Sequence, residues 1–130
     1  MTFLDTSALI DSLAGPRRSA SALRGMVERG ERILVPSLVL YEWLRGPRLP
    51  EELAAQEALF PSENAVPFGP KEATLSAKLY QSLGRARGRE IDLAIAACAI
   101  AREADLWTLN TADFEDIPDL RLSKLFLKLS

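Results

Sequence analysis

The stretch IDLAIAACAIA, residues 91–101, is almost entirely small and apolar, yet it carries a carboxylate, Asp92, at its start. A segment of that composition is built to be buried, and its length reads as a helix running on to about Ala104. The unpaired N–H groups and the dipole of a helix's first turn tolerate an acid there. They do not require one. A buried charge without a partner is costly, so such a group protonates, pairs with a cation or binds a metal.

Outward from this helix, short apolar runs alternate with longer segments of helical period, the pattern of an α/β domain around a mainly parallel sheet. Before it, a helix is predicted from Pro70 through KEATLSAKLYQSLGRAR, with Leu75, Leu79, Tyr80 and Leu83 inward and Gly84 and Gly88 marking its end region. Earlier still lie ELAAQEALF, opened by Pro50 and Glu51, and the short run AVPF, which Pro67 restricts to an edge strand or a strand end. The helix SLVLYEWLRG has Pro36 in its first turn and Leu38, Tyr41 and Leu44 recurring at spacing three. It follows the strand RILV and a helix RSASALRGMVERG that presents Ala22, Leu23, Met26 and Val27 on one face. The first elements are a strand TFL and a helix SALIDSLAG capped by Thr6 or Ser7. On the other side, DLWTL reads as a strand, NTADF as a turn entering a short helix, and LRLSKLFLKLS as a last strand plus an apolar tail.

The 130 residues, 48% hydrophobic and 26% charged, suit one globular domain over residues 1–130. No run reaches the roughly 18 apolar residues of a membrane span, and MTFLDTSALI lacks the layout of a secretory signal, so no membrane association and a cytoplasmic location are expected. Cys98 is the single cysteine, which excludes an internal disulfide and any zinc site on paired cysteines. Histidine is absent, and with it go Ser-His-Asp and Cys-His nucleophile systems, HExxH zinc sites and histidine general bases. Neither GxxxxGK[ST] nor GxGxxG occurs. Acid–base work falls to carboxylates, Lys, Tyr or metal-bound water.

In open parallel sheets, ligands gather beyond the carboxyl ends of the strands, which gives weight to an acid directly after an apolar strand. Asp5 follows TFL, and Asp113 comes a few residues past DLWTL, with Asn110 between. Glu42 lies on the helix after RILV. Each acid has a plain alternative: Asp5 as a strand-end or capping residue, Glu42 paired with Arg45, Asp92 paired with Arg89, and Asp113 as a cap. If the four converge, their repulsion raises the cost of charge, and a divalent ion relieves it.

Four segments in order, FLDTSALID, LVLYEWLRG, EIDLAIAACAIA and LWTLNTADFEDIPDL, resemble a PIN domain, and more closely the toxin nuclease of a VapBC-type toxin–antitoxin pair. The likeness runs from near Thr2 to about Leu122. It implies a single-domain three-layer α/β/α sandwich with a central, mainly parallel sheet, and a ribonuclease that cuts RNA with Mg²⁺ or Mn²⁺. Carried over by position, the acidic site is Asp5, Glu42, Asp92 and Asp113, with Asp5 and Asp92 as direct metal ligands. Thr6, Ser7 and Asn110 are its polar support, and Asp116 is a candidate further acid. The resemblance also implies a cognate antitoxin and a homodimer. Hard oxygen ligands suit Mg²⁺, which binds through one or two carboxylates and keeps several waters.

The net charge of −2 is unusual for an RNA-binding protein, so local charge has to decide. GRARGR, residues 84–89, sets Arg85, Arg87 and Arg89 just before the acidic helix as candidates for phosphate contact, with a solvated basic helix end as the alternative. Trp43 and Trp107 are expected to pack rather than to stack on bases. Leu38, Leu40, Trp43, Leu44, Leu49 and Leu53 exceed what one helix face needs, which predicts contact with another chain. Two competing functions remain: a catalytically silent PIN-like RNA-binding or protein-interaction module, and a receiver-type phosphoacceptor domain. The last is disfavoured because no lysine follows DLWTL in LWTLNTADF.

Overall fold

A computed structural model describes residues 1–124 of the chain; the apolar tail expected at residues 125–130 lies outside the described residues. The elements are β1 (Thr2–Leu4), α1 (Thr6–Leu13), α2 (Ala20–Glu28), β2 (Ile33–Leu34), α3 (Ser37–Arg45), α4 (Pro50–Leu59), α5 (Pro70–Ser82), α6 (Glu90–Ala101), β3 (Asp105–Trp107) and β4 (Arg121–Leu122). Short 3₁₀ turns occupy Ser62–Asn64 and Thr111–Asp113. The strands form one parallel sheet in the order β2-β1-β3-β4. Thr2 and Phe3 face Ile33 and Leu34 on one side, while Thr2, Phe3 and Leu4 face Asp105, Leu106 and Trp107 on the other.

The chain steps from β1 to β2 on one flank and then returns past β1 to β3 on the other. Right-handed crossovers in opposite directions put their helices on opposite faces of a sheet, which produces the three-layer sandwich and opens a crevice at the strand ends where the order reverses. Here that point lies between β1 and β3.

The centre of the packing is α6, whose residues from Leu93 to Ala99 are all buried. It packs against α5, α3 and β3. Leu93 and Ile95 supply bulk, each contributing about 1.5–3 kcal/mol by burial. The alanines and Cys98 between them keep the surface low enough for neighbours to close in. Burial pushes the Cys98 thiol up to about 11, so it behaves as the small core residue the sequence suggests. Trp43 and Trp107 are both fully buried, and therefore pack rather than stack on bases.

Several local expectations are corrected. The cap position of α1 is Asp5 rather than Thr6 or Ser7, and its side chain makes no capping bond. On α2, Val27 is 49% exposed, because Ala22, Leu23 and Met26 already complete the inward stripe. On α3 the inward residues are Val39 and Trp43, one turn apart, whereas Tyr41 and Leu44 are 55% and 49% exposed. A spacing of three drifts around a helix of 3.6 residues per turn, and burial of the indole fixes the rotation instead. AVPF forms one isolated bridge, Pro36 to Val66, and no strand, since prolines at positions 36 and 67 lack the N–H groups a ladder needs. α5 stops at Ser82, with Leu83 extended and Tyr80 exposed, so GRAR belongs to turns rather than to the helix. Gly88, at φ +84°, makes the left-handed turn that starts α6. α6 ends at Ala101 rather than near Ala104.

The rotation of α3 is testable by denaturant unfolding. Trp43→Ala should cost about 3–5 kcal/mol, while Leu44→Ala should stay within about 0.5 kcal/mol. The reverse order would restore the face predicted from spacing alone.

Candidate active site

Leu4 and Trp107 are register partners, so the chain leaves β1 and β3 at the same edge. The Asp5 backbone N–H donates to the Trp107 carbonyl at 2.9 Å, which locks the first residue beyond β1 against the end of β3. Asp5 and Thr108 therefore emerge side by side. The Thr108 hydroxyl donates to Asp5 Oδ2 at 2.7 Å, and the Ser7 hydroxyl donates to the same oxygen at 3.0 Å. Backbone amides secure both hydroxyls: Leu109 N–H donates to Ser7 Oγ and Asn110 N–H to Thr108 Oγ1, each at 3.0 Å. Asp5 is only 4% exposed, and among the described residues no cationic side chain forms an ion pair with it. The hydroxyls fix one oxygen of a buried carboxylate and leave its charge uncancelled.

Glu42 reaches the site from α3, half-buried. Its Oε1 accepts a short hydrogen bond from Thr6 Oγ1, and its Oε2 takes a looser contact of 3.4 Å from exposed Arg45. The Arg45 pair expected from spacing does form, but Thr6 is what ties Glu42 to the end of β1.

Asp92 stands in the first turn of α6, half-buried. Its carboxyl is pushed up to about 6, first by burial and then by the negative charges of Asp5, Asp113 and Glu42, with Arg89 opposing. Acids from the end of β1, from α3 and from the turn after β3 thus act on Asp92 at the start of α6. Asp113 lies on the exposed Thr111–Asp113 turn. Asn110 is exposed and enters through its backbone N–H.

Arg89 does not pair with Asp92. Its guanidinium holds both oxygens of Asp116, at 2.8 and 2.6 Å, and this contact keeps Asp116 below the usual carboxylate range. Asp116 thus faces Arg89 and is not among the charges that raise Asp92. Arg85 and Arg87 are exposed on the turns before α6. Sequence reasoning missed Thr108. The rule that singled out acids just past a strand applies equally to a hydroxyl directly after DLW, and would have found it.

The ligating atoms offered by Asp5, Glu42 and the Ser7, Thr6 and Thr108 hydroxyls bonded to them are all oxygens, which fits a hard divalent cation. Among the described residues no three acidic groups form a ready-made cation cage. The acids interact as an open electrostatic cluster, which matches an ion that binds one or two carboxylates and keeps its waters.

An acidic cluster at the carboxyl edge of a four-stranded parallel sheet, between two helical layers, defines a PIN-like α/β/α domain. The sequence matches the PIN domain family over residues 2–120, and the chain belongs to that family. It is 36% identical over 124 residues to Ribonuclease VapC19 of Mycobacterium tuberculosis, covering 93% of this chain and 98% of that protein. Among solved structures it is similar to DNA-bound VapBC from Salmonella typhimurium, with a TM-score of 0.78 at 22% identity, covering 94% of this chain and 96% of that one. It is also similar to a toxin–antitoxin complex from Klebsiella pneumoniae, with a TM-score of 0.71 at 26% identity, covering 92% and 95%.

The crowding of Asp92 sets a pH dependence. The folded carboxyl holds its proton up to about 6, against an ordinary 3.8, so this group's contribution to stability is full below about 3.8 and is lost as pH rises through about 6. In chelator-treated protein, Asp92→Asn should raise Tm at pH 7.5, and the gain should vanish near pH 4. A Tm difference that stays constant across that window would mean that Asp92 feels no such field.

Proposed function

We propose that this chain is a VapC-type endoribonuclease, the toxin of a toxin–antitoxin pair, acting at Asp5, Glu42, Asp92 and Asp113 with Mg²⁺ or Mn²⁺. The observation that carries the reading is the mutual crowding of these acids: burial and three neighbouring negative charges act on Asp92 at the crevice where parallel-sheet domains bind ligands. Membership of the PIN family and the likeness to a named ribonuclease over nearly the whole chain support it.

Asp5 and Asp92 are the direct ligands in this reading. Ser7 and Thr108 hold Asp5 by Oδ2, so Oδ1 is not taken up by those hydroxyls. Thr6 orients Glu42 from the first residue of α1. Asp113, on the exposed rim, and Glu42 would complete the site or orient the water that attacks the phosphate. When bound, the divalent ion offsets the charge of the carboxylates and of the scissile phosphate and lowers the pKa of its water, which supplies a nucleophile without histidine. Arg85 and Arg87 hold RNA phosphates beside the acids, so the local charge offsets the overall −2.

The partner reading rests on the apolar residues left outside the core. Tyr41 and Leu44 on α3, and Leu49 and Leu53 before and along α4, are all exposed. They form the surface through which an antitoxin and a second copy of the chain are engaged, consistent with the toxin–antitoxin complexes among its structural relatives. Among the described residues no helix is long and apolar enough to cross a membrane. A cytoplasmic site of action fits an RNA substrate.

Purified protein should cut single-stranded RNA in Mg²⁺ or Mn²⁺, and Asp5→Asn or Asp92→Asn should lower the rate by about 10²–10⁴-fold while the circular dichroism spectrum is retained. The same ions should raise Tm of the native protein and leave both variants unmoved. A folded native protein that binds RNA but never cleaves it would support the silent-module alternative.

A further inference from the structure

We infer that Arg89 is a positioning residue, a strut that ties the turn carrying Asp113 to the helix start carrying Asp92, with Asp116 as its built-in counter-charge. Its catalytic consequence rests on the ribonuclease reading above; the strut itself does not.

The backbone of Arg89 caps α6 three residues before Asp92, its carbonyl accepting Leu93 N–H at 2.9 Å. Its side chain crosses to the segment after β3. Nη2 donates to the Asp113 carbonyl at 2.8 Å and to Asp116 Oδ1 at 2.6 Å. Nη1 donates to Asp116 Oδ2 at 2.8 Å and to the Arg85 carbonyl at 3.0 Å. Both terminal nitrogens are fully used, and the side chain is only 19% exposed. An RNA phosphate would have to displace Asp116 to reach this fork.

The turn needs such a tie. Phe114 and Ile117 anchor its base in the core, but Asp113 is exposed and the turn's own bonds are few: Asp113 N–H to Asn110, Phe114 N–H to Thr111 and Ile117 N–H to Phe114. Asn110 adds no side-chain cap. A lone guanidinium beside Asp92 and Asp113 would repel the cation those acids attract. Asp116 sets a counter-charge directly against the guanidinium while leaving the hydrogen-bonding geometry in place. Lysine cannot substitute, because one ammonium cannot present a planar fork to a carboxylate and still reach two carbonyls.

Hydrogen–deuterium exchange of the native protein and of Arg89→Ala, Arg89→Lys and Asp116→Asn tests the strut without requiring activity. Exchange at the amides of Asp113, Phe114 and Ile117 should rise by about tenfold in all three, with the interior of α6 unchanged. Unchanged exchange in Asp116→Asn, a half-exposed site that leaves the core intact, would overturn the proposal even if Arg89→Ala fails to fold. In cleavage assays the single variants should lose about 10- to 100-fold in kcat with little change in KM, and Arg89→Ala combined with Asp116→Asn should be no worse than Arg89→Ala alone. A raised KM in Arg89→Ala, together with a lowered KM in Asp116→Asn, would instead identify Arg89 as a phosphate contact and contradict the strut. If the native protein never cuts RNA, the ribonuclease reading fails while the exchange result still decides this one.

Discussion

Like charges held together at the ends of two parallel strands are the constraint on which the rest of the molecule depends. The register of β1 against β3 sets Asp5 beside Thr108, and hydroxyls that are themselves held by backbone amides then hold the carboxylate without neutralising it. Glu42, Asp92 and Asp113 are brought into the same field, and burial first, then the neighbouring charges, raise the proton affinity of Asp92. Left alone, such a cluster pushes its elements apart. What keeps them in place is the apolar packing behind it: a fully buried α6, the buried strands β1 and β3, and two indoles without exposure. The core is thus the support against which an unfavourable electrostatic arrangement is maintained, as is common where binding or catalysis requires it.

The same helix has both duties. Seven consecutive buried residues of α6 are small or apolar, and Asp92 directly precedes them in the helix's first turn. Where the helix dipole favours an acid, the neighbouring acids oppose it, and Asp92 sits at the balance of the two. The question raised by IDLAIAACAIA therefore has a structural answer: the acid is at the edge of the core, half-buried, because that edge is where three other acids arrive.

Much of this was legible in the residues because an acid stands out against an apolar run. Asp5 after TFL and Asp92 before LAIAACA are conspicuous in that way, and alternation of short apolar runs with helical periods announced the parallel sheet. What stayed hidden depends on distance or on ambiguity. Thr108 looks like any strand-end hydroxyl until β1 is laid beside β3. The basic run at residues 84–89 is obvious, but the partner of Arg89 lies 27 residues further along the chain, and nothing local announces it. The rotation of α3 is hidden in the sequence because apolar residues fill most of its nine positions, and burial of Trp43 rather than periodicity sets which side faces in. Residues such as Tyr41 and Leu44 look like core in sequence because an apolar surface and an apolar interior use the same side chains.

Anomalous diffraction from crystals grown with Mn²⁺ bears most directly on the idea that these acids share one cation. The account predicts a single region of strong anomalous density within about 2–2.5 Å of carboxylate oxygens of both Asp5 and Asp92, with Glu42 and Asp113 facing the ion's remaining coordination positions. Density bound elsewhere, or none at these acids under saturating Mn²⁺, would contradict it.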